Sequence, residues 1–179
     1  MKPCLAVLFL LSPTSALACF GDTGLSLFHC TFKAGMTEAR VCLQDDVVYY
    51  AYGAAGASPD LLLARDVGAV DMVPWPGIGR TIWEEAGFAN GHVEYRLTYA
   101  VDKMAETEPA EGVLLVRQGG NQIAELICDR GSVSDHDFYP LFEAKSAAGQ
   151  CWDHDSTQWL DCCGGAEAPP PAPVSADAR

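Results

Sequence analysis

Along "HVEYRLTYAV", residues 92–101, apolar and polar side chains alternate. Val93, Tyr95, Leu97, Tyr99 and Val101 fall on one side; His92, Glu94, Arg96 and Thr98 fall on the other. Successive side chains of a strand point to opposite faces, so this pattern predicts a strand with one buried face. "LFHCTFK" (27–33) repeats it, with Phe28, Cys30 and Phe32 together. "ARVCLQ" and "VVYYAY" flank Asp45-Asp46, and "GVLLVRQ" and "QIAELIC" flank Gly119-Gly120-Asn121. Both arrangements predict tight hairpins, because glycine and asparagine accept the positive φ that such turns need. "DLLLARD" (60–66) and "AVDMV" (69–73) read as a further pair of strands. Short strands at this spacing predict a mainly β fold, an antiparallel barrel or sandwich.

One C-terminal helix interrupts the β pattern. Asp137 is placed to cap it, and Pro140 fits its first turn, where no backbone donor is missed. Leu141, Phe142 and Lys145 follow at helical spacing, and Gly149 suits the left-handed position that ends a helix. Cys128 would then close a strand and Cys151 would follow the helix.

The two ends of the chain set its compartment. Lys2, an apolar run from Leu5 to Leu11, and Ala16-Leu17-Ala18 have the layout of a secretory signal peptide over residues 1–18, cut before Cys19. The run is shorter than the roughly 20 residues a membrane span requires, and no later stretch qualifies, so no transmembrane segment is expected. A cysteine directly after the cut also suits a lipid anchor at Cys19. The lipobox order of leucine then small residue is reversed in Ala16-Leu17, which favours a periplasmic or secreted protein without lipid. Residues 19–163 form one domain, and "GGAEAPPPAPVSADAR" (164–179) reads as a disordered Pro/Ala-rich tail.

Charge narrows the partners. The whole chain carries 11 basic and 24 acidic residues, a formal net charge of −13. Removing Lys2 with the signal segment leaves −14. Such a surface repels nucleic acid and suits a basic protein or envelope partner.

Eight cysteines occur, and seven follow the cut: Cys19, Cys30, Cys42, Cys128, Cys151, Cys162 and Cys163. In an exported chain they are expected to pair. Cys128–Cys151 would pin the helix to the sheet. Cys30–Cys42 would bridge a hairpin turning near Met36, although Cys30 shares a face with Phe28 and Phe32 while Cys42 shares one with Arg40 and Gln44. That conflict of faces keeps Cys30–Cys128 open as the alternative. One of Cys162 and Cys163 is expected to reach Cys19 or Cys151, and the other to stay free or to link two chains.

Two stretches suggest a site. "DHD" occurs twice, as Asp135-His136-Asp137 and Asp153-His154-Asp155. His136, Asp137, Asp153, His154 and Asp155 would be the ligands if a divalent metal binds. Capping by Asp137 and ordinary acidic loops account for the same residues. "PWPGIGRTIW" (74–83) places Trp75, Ile78, Arg80 and Trp83 on a Pro/Gly-rich loop, a composition suited to a binding surface. The tryptophans would equally serve as lids on a small core. No GxSxG, HExxH, phosphate-loop or CxxC pattern occurs, so no catalytic role is expected.

"LFHCTF…VCL…VVYYAYG", "FANGHVEYRLTYAV" and "GVLLVRQGGNQIAELIC" together resemble small bacterial exported β-proteins of unknown function. The order of a cysteine-bearing hairpin, a Gly-then-Tyr strand and a strand ending in cysteine is also similar to bacterial periplasmic lysozyme inhibitors. That resemblance implies a small barrel and an inhibitory loop. The loop would fall at Asn90-Gly91-His92-Val93-Glu94-Tyr95, which lacks the family's serine and has one residue more between Gly and Tyr. The sequence therefore predicts an exported, acidic, disulfide-stapled binding or envelope-associated protein, with a lysozyme inhibitor-like protein and a divalent-metal-binding periplasmic protein as alternatives.

Overall fold

A computed structural model describes Cys19, residues 24–105 and residues 108–162. The expected signal peptide (residues 1–18), Cys163 and the expected tail from Gly164 lie outside the described residues. The chain runs β1 (Leu25–Phe32), β2 (Thr37–Gln44), β3 (Val47–Ala54), β4 (Leu61–Asp66), a 3₁₀ turn at Val67–Ala69, and β5 (Asp71–Val73). It continues through β6 (Thr81–Asn90), β7 (Val93–Asp102), β8 (Glu111–Gln118), β9 (Asn121–Ile127) and β10 (Ser134–His136). Helix α1 (Tyr139–Ala147) and the hairpin β11 (Gln150–Asp153) and β12 (Gln158–Asp161) complete it.

The strands form two five-stranded antiparallel sheets, ordered β10-β1-β2-β3-β4 and β5-β6-β7-β8-β9, beside the β11-β12 pair. Neither five-stranded sheet closes on itself, so the fold is mainly β without a closed barrel. The predicted turns are present: Gln44 pairs with Val47 across Asp45-Asp46, and Gln118 with Asn121 across Gly119-Gly120. Asp45 takes φ 52°, and Gly119 and Gly120 take 54° and 83°, the positive angles that such turns demand.

Alternation delivers the core. Phe28, Cys30 and Phe32 of β1, Tyr50 of β3, Phe88 of β6 and Leu97 of β7 are all buried in one cluster that draws on both sheets. Leu27 joins them because the β1–β2 register slips between Ser26 and Phe28. That bulge lets two consecutive residues face inward. Tyr50 packs against Phe88 at 5.3 Å and Tyr95 at 5.5 Å between ring centroids, tying β3 to β6 and β7.

Two pairings differ from expectation. The stretches 60–66 and 69–73 do not pair with each other: β4 pairs with β3 and β5 with β6. The 3₁₀ turn between them carries the chain from one sheet to the other. Alternation specifies which face a residue takes but not which neighbour its strand chooses.

The cysteines correct the two leading pairings. The bridges are Cys19–Cys42, Cys30–Cys128 and Cys151–Cys162. Cys30 faces the core, opposite Ala39, while Cys42 turns to the other face of β2 and reaches Cys19. The conflict of faces read from the sequence is thus what rules out Cys30–Cys42. Cys128 follows β9 and lies buried against Cys30, so it is not available to Cys151. Cys151 instead closes its own hairpin with Cys162, one of the two partners expected for the Cys162-Cys163 pair.

The helix is therefore held by side chains, not by a bridge. Phe138 and Leu141 are fully buried, and Phe138 lies 5.6 Å from the Tyr99 ring. The Lys145 Nζ, also buried, donates to the carbonyls of Val67 at 3.1 Å and Val70 at 2.7 Å. These are the carbonyls of the 3₁₀ crossover, so one ammonium clamps helix and crossover together. Its ring contact with Trp159, 4.8 Å to the centroid, adds the C-terminal hairpin.

Candidate functional site

The second sheet ends in a groove. Thr81 of β6, Ala100 and Asp102 of β7, Glu111, Gly112 and Val113 of β8, and Glu125 and Ile127 of β9 line a cavity of about 640 Å³. Glu108, Pro109 and Ala110 form one wall, and Cys128, Asp129 and Arg130 another. The described lining thus holds five carboxylates and one guanidinium, Arg130. The floor is apolar because Ala100, Val113 and Ile127 share the outer face of the sheet.

The carboxylates fall into two kinds. Asp102 pairs with Arg80 at 2.6 Å, and Glu108 pairs with Arg130. Asp129 accepts from the backbone N–H groups of Ala34 at 3.0 Å and Gly35 at 2.8 Å, and from the Thr31 hydroxyl at 3.0 Å. Those backbone donors hold its carboxyl below the usual aspartate range, as Arg80 does for Asp102. Glu111 and Glu125 differ: among the described residues neither meets a cationic group. Glu125 accepts instead from the neutral Gln122 Nε2 at 3.0 Å.

The loop expected to bind lies beside this groove. Arg80 and Asp102 join its end to the groove wall. The Trp75 Nε1 donates to the Ile78 carbonyl at 3.0 Å, and Lys103 stands 4.5 Å from the Trp75 ring centroid. The loop is therefore fastened to the end of β7, with Ile78 the side chain left outermost at 75% exposure. Trp83 belongs to β6, opposite Ala100, and is half-buried on the outer face.

The proposed metal ligands have other partners. The His136 ring meets Tyr99 edge-on at 5.4 Å, and Asp137 accepts from the Tyr139 N–H at 2.9 Å at the start of α1. Asp153 accepts from Asp155 N–H at 3.0 Å and Ser156 Oγ at 2.7 Å in the β11–β12 turn, and His154 lies edge-on to Trp152. Among the described residues no three His, Cys, Asp or Glu side chains converge to hold a metal ion.

Sequence reading missed three polar arrangements. Glu84 is buried in the core, accepting from the Tyr99 hydroxyl at 2.7 Å and the Phe138 N–H at 2.9 Å. Burial raises its carboxyl above the usual range. Arg96 lies on the outer face of the second sheet among Asp71, Glu85 and Glu94. Burial opposes its charge, but the Asp71 and Glu94 carboxylates raise its pKa all the same.

The third arrangement crosses the first sheet. His29 Nδ1 lies 3.1 Å from Ser134 Oγ, and His29 Nε2 lies 3.2 Å from Glu38. Burial alone would raise Glu38, but hydrogen bonds from Arg40 and His29 bring it below its ordinary value. An ionised Glu38 can only accept, so Nε2 carries a proton and donates to it, while Nδ1 shares a hydrogen bond with the Ser134 hydroxyl. This chain ties β10, β1 and β2 side by side.

Comparison of the chain with family models, with curated proteins and with solved structures finds no match.

Proposed function

We propose that this is an exported, acidic, disulfide-stapled binding or envelope-associated protein that receives a basic protein partner in the groove at the end of its second sheet. The fold is read as a sandwich of the two five-stranded sheets around their shared core. The groove carries the functional reading: an apolar floor gives contact area, and Glu111 and Glu125 at its rim lack cationic partners among the described residues. Complementary charge speeds encounter and selects partners, so the overall charge and the local site favour the same class of ligand. Three disulfides and the absence, among the described residues, of a helix long and apolar enough to cross a membrane support a periplasmic or secreted setting.

Isothermal titration with a strongly basic protein tests this. Micromolar binding at low salt that weakens as salt rises is the expected result. Equal binding of a basic and a neutral protein would remove the reading. A c-type lysozyme is the special case that the resemblance to lysozyme inhibitors favours. Undiminished cell-wall lysis with this protein in excess would exclude that case alone.

A further inference from the structure

The second sheet has an open side at β9. β9 is seven residues long, pairs among the described residues only with β8, and holds no proline or lysine. Ile123 and Ile127 on it are 58% and 68% exposed, flanking Glu125. Natural edge strands are commonly short, charged, bulged or covered, because an open row of N–H and C=O groups templates a further strand. β9 has a bulge at Ile123 and the charge of Glu125, and its regular stretch is Ala124–Ile127. The hydrogen-bond phase shows which groups are open. The Cys128 N–H donates to the Gly112 carbonyl at 2.9 Å, and the register runs Ile127 with Val113, Leu126 with Leu114, and Glu125 with Leu115. Bonded and non-bonded pairs alternate in an antiparallel ladder. Leu126 therefore turns its backbone groups toward β8, and Glu125 and Ile127 turn theirs outward.

We infer that an extended segment bearing lysine or arginine at alternate positions adds to the second sheet as a sixth strand along β9. The inference rests on the groove reading above and specifies how the partner sits. In such strand addition the main chain supplies affinity, and alternate side chains supply selectivity. Side chains of the added strand on the outer face would meet Glu125 and the groove, where Glu111 is the second carboxylate without a cationic neighbour. Those on the inner face would lie against Leu126, which is only partly buried against the core. The matching segment thus alternates basic with apolar residues. Charge complementarity selects this occupant over a second copy of the chain, which would set Glu125 against acidic groups.

The probe is the peptide acetyl-Lys-Val-Lys-Val-Lys-Val-Lys-amide, titrated against the full mature protein, Glu125→Gln and Glu125→Pro. Proline at 125 removes one outward N–H and leaves the β8–β9 ladder intact. Glu125→Gln should weaken binding a few-fold by lost charge, and Glu125→Pro at least ten-fold beyond that. Equal affinities of the two variants would overturn strand addition while leaving the groove reading standing. No binding to the unsubstituted protein would overturn both. Amide exchange in the unsubstituted protein gives a second test that needs no variant: Glu125 and Ile127 N–H groups should slow at peptide saturation. Unchanged exchange would contradict the inference. So would protection already present in the free protein and lost on deleting 164–179 or on dilution from a dimer, since the edge would then be occupied by the chain itself.

Discussion

The two five-stranded sheets end differently. At three of their four outer strands the edge is short or tied by side chains. β10 has three residues and is bound to β1 by the Ser134–His29 contact; β5 also has three. The Met72 carbonyl on β5 accepts from Trp159 Nε1 at 2.6 Å. Arg65 on β4 reaches across to the Ala89 carbonyl of β6 with two hydrogen bonds. Among the described residues β9 is neither short nor tied to another element on its outer side, and the acidic groove lies at its end. The contrast separates two uses of polar chemistry: in the first sheet it joins strands to one another, and on β9 the Glu125 carboxylate is held by Gln122 of its own strand and faces outward.

Breaking the staples should sharpen this contrast most. Cys30–Cys128 spans 98 residues and Cys151–Cys162 spans 11. Loop-closure entropy assigns about 5 kcal/mol to the first and about 3 kcal/mol to the second. Cys30→Ala with Cys128→Ala should lower the denaturation midpoint much further than Cys151→Ala with Cys162→Ala. Equal losses would contradict the loop-length assignment.

Lys145 should produce the next largest effect, visible as pH dependence. Burial lowers its pKa from 10.5 to about 8. The unfolded chain then binds more protons than the folded one between those values, so stability rises with pH across this window. The rise should reach roughly 3 kcal/mol. Denaturant titrations of the unsubstituted protein and Lys145→Met between pH 8 and 10 should show it in the first only.

Gly112 should follow. A Cβ there would stand 2.6 Å from Cys128 Sγ and 3.0 Å from Val133 Cγ2. Gly112→Ala should cost about 1–3 kcal/mol as overpacking, read from the melting midpoint. Binding to the groove beside it should fall as well if the Cys128 wall shifts.

Glu84→Gln should give the smallest change, opposite in sign to that of Lys145. Its raised pKa means the folded state holds the proton more tightly, so stability declines as pH rises above the ordinary glutamate value of 4.5. The amide keeps an acceptor for Tyr99 and Phe138 and should remove that decline. A variant with the same pH slope would assign it to another group.

Much of this fold was legible because alternation reports faces directly. β1 and β7 follow it, and so do the turns at Asp45 and Gly119. β6 is hidden because Glu84 occupies an inward position in "TIWEEAGFAN", where a pattern reading expects an apolar residue, and because its first residues continue the Pro/Gly-rich stretch that predicts a loop. The hairpin carrying Trp152 and Trp159 escaped because its strands have four residues each. The groove was the least legible feature. Glu111 and Glu125 are 14 positions apart, on different strands, and the β8–β9 hairpin brings them to the same face of the sheet, beside the groove. The loop with Trp75 and Arg80 gave a nearby signal through aromatic and proline content, and Asp102 connects it to the site.

The claim that this groove takes a basic segment is tested most directly by residue-resolved NMR of residues 19–179 titrated with the lysine–valine heptapeptide. The account predicts that the largest shift changes fall on residues 108–113 and 125–130. They should shrink in 0.5 M salt and nearly vanish in Glu111→Lys with Glu125→Lys, at an unchanged melting midpoint. Shifts centred on the outer face of the first sheet, or none at millimolar peptide and low salt, would contradict it.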